Sequence, residues 1–343
     1  MTMVIRRPLG VFVGLAATAA LLAGCGSGPS QVGSALIVGN TSVSDSQVQG
    51  ELRDMLASQA SAQQALKQGK LDQTSRAIVT THVLHVLVGR AAAENHLSVT
   101  DQQVDQVIGQ QGGAAKLAEA LATTRAGVHD AVKDLLLEAS LTRKFANTLT
   151  VTFGFIESPT RQEAIAKARQ LAANPGALPQ LVQEANKAAQ AAGGQSGGAT
   201  NATFAIASYL AGVQQSQQAA AAQGQSAPVE NDGPVFGTPA NTVVAFQPSP
   251  QTNPTWVVAL IKSHNPNGKP QVPAGTPNPA DTSDLATLQQ IGIALMQPDV
   301  AKVGGVRISP RYGVWDQVGM QVSPSANQTV GVEFPVRPKK PAA

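Results

Sequence analysis

The sequence predicts an α+β fold that is mainly helical. Three observations carry that expectation. Aliphatic residues recur at helical spacings over most of residues 44–147. Two short β-type runs, at 151–156 and 255–261, bracket a second region that also holds two helical stretches. Aromatic residues make up only 3% of a chain that is 43% hydrophobic, so Ala and Val must fill much of the interior, which suits closely packed helices.

Taken in order, Ala35-Leu36-Ile37-Val38 reads as a short buried strand turned by Gly39-Asn40. Ser44-Asp45-Ser46-Gln47 is a capping box, and it opens a helix with Val48, Leu52 and Leu56 on one face. A long helix follows from Leu71 to about Glu94, carrying Ile78, Val79, Val83, Val86 and Leu87. Thr100-Asp101-Gln102-Gln103 caps another, bearing Val104, Val107 and Ile108. Leu117 and Leu121 mark a short helix, and Val128, Val132, Leu135, Leu136 and Leu141 mark a last one over 126–147.

The character changes at residue 151. A strand over 151–156 precedes Pro159 and the capping box Thr160-Arg161-Gln162-Glu163, which opens a helix with Ile165, Ala168 and Leu171. Asn174-Pro175-Gly176 breaks it, and a second helix runs from Leu178 to about Ala192. Residues 190–203 and 214–227, rich in Gln, Ala, Gly and Ser, read as flexible insertions. Asp232-Gly233-Pro234 turns into an extended stretch, and 255–261 (Thr-Trp-Val-Val-Ala-Leu-Ile) is the strongest strand signal of the chain. A Pro-rich linker occupies 265–281. An apolar helix follows at 285–296, then a strand at 305–309 and a turn at 310–316. Neither that strand nor that helix can hide its backbone and apolar groups alone. The domains expected are 34–147, 151–264, and a segment 282–334 that returns to the first, with 335–343 as a tail. The strands at 34–38 and 305–309 are expected to pair.

Ahead of this body, Arg6 and Arg7 precede an apolar run over 9–22, then Leu22-Ala23-Gly24-Cys25. The run is short for a membrane span. A basic start, a short apolar core and small residues before a cut site make a secretory signal. With the single Cys of the protein placed directly after that site, the arrangement resembles the bacterial lipoprotein signal. The resemblance implies that residues 1–24 are removed and that Cys25 takes a thioether-linked diacylglycerol. Residues 25–33 would then tether the body to the outer face of the cell membrane. With Cys25 used for lipid no disulfide is possible, although the compartment would allow one.

Removing residues 1–24 takes two basic residues and no acidic ones, leaving 22 Lys+Arg against 21 Asp+Glu. A near-neutral chain without a basic stripe points away from nucleic acid. Arg337, Lys339 and Lys340 read as a solvated end. No phosphate-binding Gly-rich loop is present, because Gly193 to Gly198 lacks a following Lys-Ser/Thr, so no nucleotide or other cofactor is expected.

Three stretches together resemble the SurA- and PrsA-type extracytoplasmic chaperones. These are 35–40 followed by a capped helix, Leu97-Ser98-Val99-Thr100-Asp101-Gln102-Gln103-Val104, and the closing Ser309-Pro310-Arg311-Tyr312-Gly313-Val314-Trp315-Asp316. The resemblance covers roughly 34–147 and 284–316. It implies a SurA-like helical domain completed by the C-terminal helix and strand, with an inserted small parvulin-like α+β domain. Residues 151–264 have the outline of that domain. The isomerase pattern places a His in the first strand and another in the last, and the matching runs here are Gly154-Phe155-Ile156 and Trp256-Val257-Val258. Neither contains one. The Gly-Gly-Asp-Leu-Gly loop of the family is absent as well, so the domain reads as a degenerate isomerase kept for shape or binding.

Other polar constellations are sparse. His82 and His85 sit three apart on one helix, but Zn²⁺ needs three or four ligands and no second pair stands near. His129-Asp130 has no partner nucleophile and no Gly-x-Ser-x-Gly elbow. Tyr312 and Trp315 read as anchors of the terminal segment. The functional expectation is a lipid-anchored, ATP-independent, chaperone-like protein that binds unfolded or newly exported polypeptides, with no catalytic or metal-binding residue. An active prolyl isomerase and a scaffold for one envelope partner are the rivals. A solute-binding lipoprotein would need two doubly wound lobes, and the βαβ alternation is missing.

Cys25→Ala should leave the protein released in soluble form, or held as a precursor with its signal attached. Detergent partitioning and N-terminal sequencing read the result. A mature chain that starts elsewhere and partitions into water would remove the lipid anchor.

Overall fold

The computed structural model describes residues 32–194, 196–225, 231–248, 255–269 and 278–337. Cys25, the apolar run before it and most of the tether lie outside these residues. So do 270–277 of the linker and the end of the tail from 338.

Strand β1 (Ser34–Val38) turns at Gly39 into β2 (Thr41–Ser44). Gly39 has φ +58°, and a Cβ there would come within 2.9 Å of the Val303 carbonyl oxygen, so both conformation and contact call for glycine. Ser44 accepts the Gln47 N–H at 3.1 Å and starts α1 (Asp45–Ser58), which is followed by α2 (Ala60–Lys67) and the 25-residue α3 (Leu71–Asn95). The reciprocal box of Thr100 and Gln103 opens α4 (Asp101–Gln110); α5 (Ala114–Ala120) and α6 (Val128–Ala146) complete the helical half.

The second half begins with β3 (Thr150–Ser158), then α7 (Arg161–Ala173) under the Thr160 cap and α8 (Leu178–Ala191). Next come β4 (Gly198–Ala205), α9 (Ile206–Ala222), the single turn α10 (Gly233–Gly237), β5 (Thr242–Phe246) and β6 (Trp256–Asn265). After the linker the chain forms α11 (Pro279–Thr282), α12 (Leu285–Leu295) and α13 (Gln297–Lys302). It ends with β7 (Val306–Ile308), β8 (Val314–Asp316), β9 (Gln321–Ser323) and β10 (Gly331–Pro335).

Among the described residues three antiparallel sheets form: β2-β1-β7, β10-β5-β6-β3-β4, and the β8-β9 hairpin. In the first, β1 is central. Its residues Ala35, Leu36, Ile37 and Val38 are all buried, and it pairs with β7 through Leu36↔Ile308, Ile37↔Arg307 and Val38↔Val306.

Several expectations are corrected. Residues 190–203 and 214–227 are not flexible insertions as a whole: 198–205 form β4 and 206–222 form α9. The Gln/Ala composition suits a helix, and Ile206, Ala207, Tyr209 and Leu210 bury its first turns against the sheet. Residues 233–237 coil into one buried helical turn rather than an extended stretch. Residues 279–281, placed in the linker, belong to the helix Pro279–Thr282, and Asn265 ends β6. The segment 282–334 does not simply return to the helical half. After β7 the chain crosses back, and β10 covers the edge of β5, from Gly331↔Phe246 to Pro335↔Thr242. Pro335 therefore belongs to a strand rather than to the tail.

The five-stranded sheet is not a free-standing insertion either. One face packs on α7 and α8 through Ile156, Leu171, Leu181, Val258 and Leu260. The other packs on α9, α10 and, from the helical half, α6 and α12. On α6, Ala139 and Ala146 turn to this core, while Leu137 and Leu141 join the core around β1 and α3. The helices α6 and α12 cross in backbone contact, because a Cβ at Gly292 would collide with the Glu138 carbonyl oxygen. Thr142 Oγ1 donates to Leu288 O at 2.6 Å beside the crossing. Glu138 itself is 2% exposed and its Oε2 has no partner. Burial pushes its carboxyl from an ordinary 4.5 up to about 8, with Asp134 adding to the rise and Gln289 opposing it.

Two outcomes follow from this packing. A chain truncated after residue 280 loses α12 and β7, leaving β1 as a bare edge and the faces of α3 and α6 uncovered. It should aggregate or lose cooperative melting; a soluble truncation that melts cooperatively would show that the helical half is complete without the return. The second outcome concerns Glu138. A folded-state pKa above the unfolded value contributes stability that is present below about 4.5 and lost as pH rises through about 8. Glu138→Gln should make the fall in stability from pH 5 to pH 9 shallower, by up to about 1.4 kcal/mol per pH unit inside that window. Urea titrations at pH 5, 7 and 9 measure it, and parallel pH profiles for the two proteins would refute it.

Candidate functional site

The two halves meet in a cleft of about 370 Å³, at the small end of ligand-sized cavities. Its floor is apolar, formed by Leu141 and Phe145 at the end of α6, Leu149 beyond it, Phe236 on α10 and Leu295 on α12. Each belongs to an element that is fixed by a core on its far side, so the floor is preformed.

The rim is polar and largely self-satisfied. Lys302 Nζ reaches Glu94 Oε2 at 2.8 Å and Asp299 Oδ1 at 2.7 Å, and Glu94 Oε1 takes Arg90 at 2.8 Å. These contacts raise the Lys302 pKa, with Asp299 the larger cause, and lower that of Glu94. Lys144 donates to Asn95 O at 2.9 Å and Oδ1 at 3.1 Å, with its ammonium 5.6 Å from the centre of the Phe145 ring. His264, at the end of β6, lies 3.2 Å from the Phe236 carbonyl through Nε2. Burial holds its imidazole below the usual histidine range, against the opposing effect of that hydrogen bond.

The sheet positions singled out by the isomerase resemblance do not form one site. Gly154 pairs with Leu260, and a side chain there would collide with Leu178 of α8 and the Thr200 carbonyl. Val257 pairs with Glu157 and packs with Ala259 and Ile261 on the opposite face. That second face is filled by rings. Phe204 stacks on Phe236 at 5.3 Å, Tyr209 meets both at 5.9 and 6.1 Å, and Phe153 lies 5.9 Å from Phe155 and 6.4 Å from Phe204. An imidazole at Gly154 has no space, and one at Val257 would face away from it.

His82 and His85 are separated by their partners. His82 Nε2 sits 2.9 Å from Glu51 Oε1 on α1, and His85 Nδ1 sits 2.7 Å from Asp134 Oδ2 on α6. The Asp134 carboxylate raises the His85 pKa, while burial holds Asp134 itself above its ordinary value. The two imidazoles thus tie α3 to its neighbours across a polar cavity of about 390 Å³. Among the described residues no group of three or more His, Cys, Asp or Glu is placed to hold a metal ion. His129 lies 3.8 Å from Asp101 and 3.9 Å from Asp130 as a surface pairing.

Tyr312 anchors the C-terminal segment. It is buried, its hydroxyl donates to Asp45 Oδ1 at 2.5 Å and accepts from Gln49 Nε2 at 3.1 Å, and Arg311 meets Asp45 Oδ2 at 2.8 Å. Trp315 is half-buried, its Nε1 donating to Gln317 at 3.2 Å. The residues that build the cleft rim, Glu94, His264, Asp299 and Lys302, carry no motif in the sequence; they come together only because α13 returns beside α3.

No family model matches this chain, and no curated protein matches it. Among solved structures it is similar to foldase protein PrsA from Lactococcus lactis, at 11% identity and a TM-score of 0.25, over 80% of this chain and 94% of that one. It is also similar to foldase protein PrsA from Streptococcus pneumoniae str. Canada MDR_19A, at 14% identity and a TM-score of 0.23, over 79% and 94%. Both similarities are at low identity and low superposition.

Proposed function

We propose that this protein is a lipid-anchored, ATP-independent binder of unfolded or newly exported polypeptide segments outside the cytoplasm, chaperone-like and without catalysis. The observation that carries the reading is the cleft between the two halves: an apolar floor inside a rim where Lys302 is compensated by Glu94 and Asp299. A site of that kind grips apolar side chains without selecting for charge. Among the described residues the only exposed large hydrophobics are Val32 and Leu66, so grip is available in recesses rather than on an open sticky face. This favours short segments, and it equally supports the second reading, a scaffold that holds one dedicated envelope partner by a single segment.

The non-catalytic part of the proposal is supported by the filled sheet faces. Accelerating X–Pro rotation means lowering a barrier of about 20 kcal/mol with polar groups placed around a twisted amide. Gly154 and Val257 supply no such group and lie on opposite faces.

The full chain should therefore suppress aggregation of a reduced, unfolded client at near-stoichiometric ratio, and should not accelerate X–Pro isomerisation in a short peptide. The uncatalysed reaction takes tens of seconds, so weak catalysis would be plain. A photocrosslinker attached at Lys302→Cys, in a Cys25→Ala background, should capture client, while one at Leu66→Cys should not. Isomerisation that scales with protein concentration would restore the enzyme reading. Capture of one native partner, without suppression of aggregation, would select the scaffold.

A further inference from the structure

Within the cleft, Lys302, Glu94 and Asp299 satisfy one another, whereas one ring nitrogen of His264 has no hydrogen-bond partner among the described residues. The Phe236 carbonyl can only accept, so the contact at 3.2 Å requires His264 Nε2 to carry the proton. Burial lowers the pKa of the ring and so favours its neutral form. The remaining nitrogen, Nδ1, is then the acceptor of a ring that lines the cavity over Leu141, Phe145, Phe236 and Leu295. A neutral imidazole with its tautomer fixed by the backbone is a positioned hydrogen-bond acceptor.

We propose that the cleft takes an apolar side chain together with the backbone N–H of the same extended polypeptide segment, the N–H being accepted by His264 Nδ1. This rests on the polypeptide-binding reading above and specifies its chemistry. Two features select a chain segment over other occupants. The cation that lines the cleft, Lys302, is held between Glu94 and Asp299 and so is not free to draw an ionic ligand. An extended chain offers an outward side chain and a backbone donor within one residue, which is the pairing of apolar floor and lone acceptor found here. His264 is accordingly a positioning residue for a bound chain. It has no part in a reaction.

The probe is a fluorescent decapeptide with one Leu in a Gly/Ser background, compared with the same peptide N-methylated at the Leu amide. Binding is read by anisotropy on the full-length chain carrying Cys25→Ala. Methylation should weaken binding about fivefold, the worth of one net hydrogen bond. His264→Phe keeps an aromatic ring at the cleft wall and removes the acceptor at Nδ1, together with the donor to the Phe236 carbonyl. It should lose the same factor and become indifferent to methylation. Lys302→Cys carrying a bulky maleimide, also in the Cys25→Ala background, should block both peptides. If the adduct blocks binding while methylation and His264→Phe have no effect, the acceptor role is overturned and the polypeptide cleft stands. If the adduct leaves binding unchanged, the cleft reading falls, and this inference with it. Equal affinity for 1-hexanol, which has an apolar tail and no chain, would put a small apolar molecule there and overturn the proposal as well.

Discussion

Everything else in this molecule depends on the close crossing of α6 and α12. The two helices touch backbone to backbone where Gly292 meets the Glu138 carbonyl, and each then serves two cores at once. Leu137 and Leu141 look toward β1 and α3, whereas Ala139, Ala146, Leu288 and Ile291 look toward the five-stranded sheet. A helix hydrophobic on two sides cannot be exposed on either, so neither half can be finished without the other. The cleft is a by-product of that arrangement. Leu141 and Phe145 of α6 and Leu295 of α12 all reach its floor.

A second constraint closes the chain. Asp45, the first residue of α1, receives both the Tyr312 hydroxyl and the Arg311 guanidinium. Gly313 has φ +124°, and a Cβ there would run into the Ser323 carbonyl, so the chain can turn away directly after gripping Asp45. Asp316 continues the job. It is buried and accepts backbone N–H groups of Val318, Gly319 and Val330, which fixes the hairpin and aims the chain at β10. The stretch from Ser44 and the stretch around Tyr312, far apart in sequence, are therefore two sides of one contact.

What the sequence reveals here is what local physics decides. The caps at Ser44, Thr100 and Thr160 are readable because a side chain and an N–H three residues on settle them without the rest of the fold. Strand β1 is readable because an aliphatic run with a glycine turn has few alternatives. Strand β4 and helix α9 are not, since Gly, Ala, Thr and Gln carry almost no pattern and their structure is imposed by Phe204, Tyr209 and Leu210 finding the ring cluster. Strand β10 is invisible for a different reason: its place is set by the open edge of β5. The opposite facing of Gly154 and Val257 depends on a strand register that contains a bulge between Thr152 and Phe153. The cleft floor is partly legible as the apolar face of α6, but its rim joins residues 94, 264, 299 and 302, a proximity no spacing rule encodes.

The pairing of β1 with β7 has a temporal side. Leu36 meets Ile308 about 270 residues later, so the partner strand is among the last parts of the described chain to be made. Loop closure over such a length must be completed before the contact returns any energy, which makes assembly slow and late. Through that interval four consecutive aliphatic residues wait beside the chain's own beginning with one edge unmet. The nascent protein, then, spends most of its growth as an open β-edge, and its own folding is the first problem of exposed chain that it has to survive.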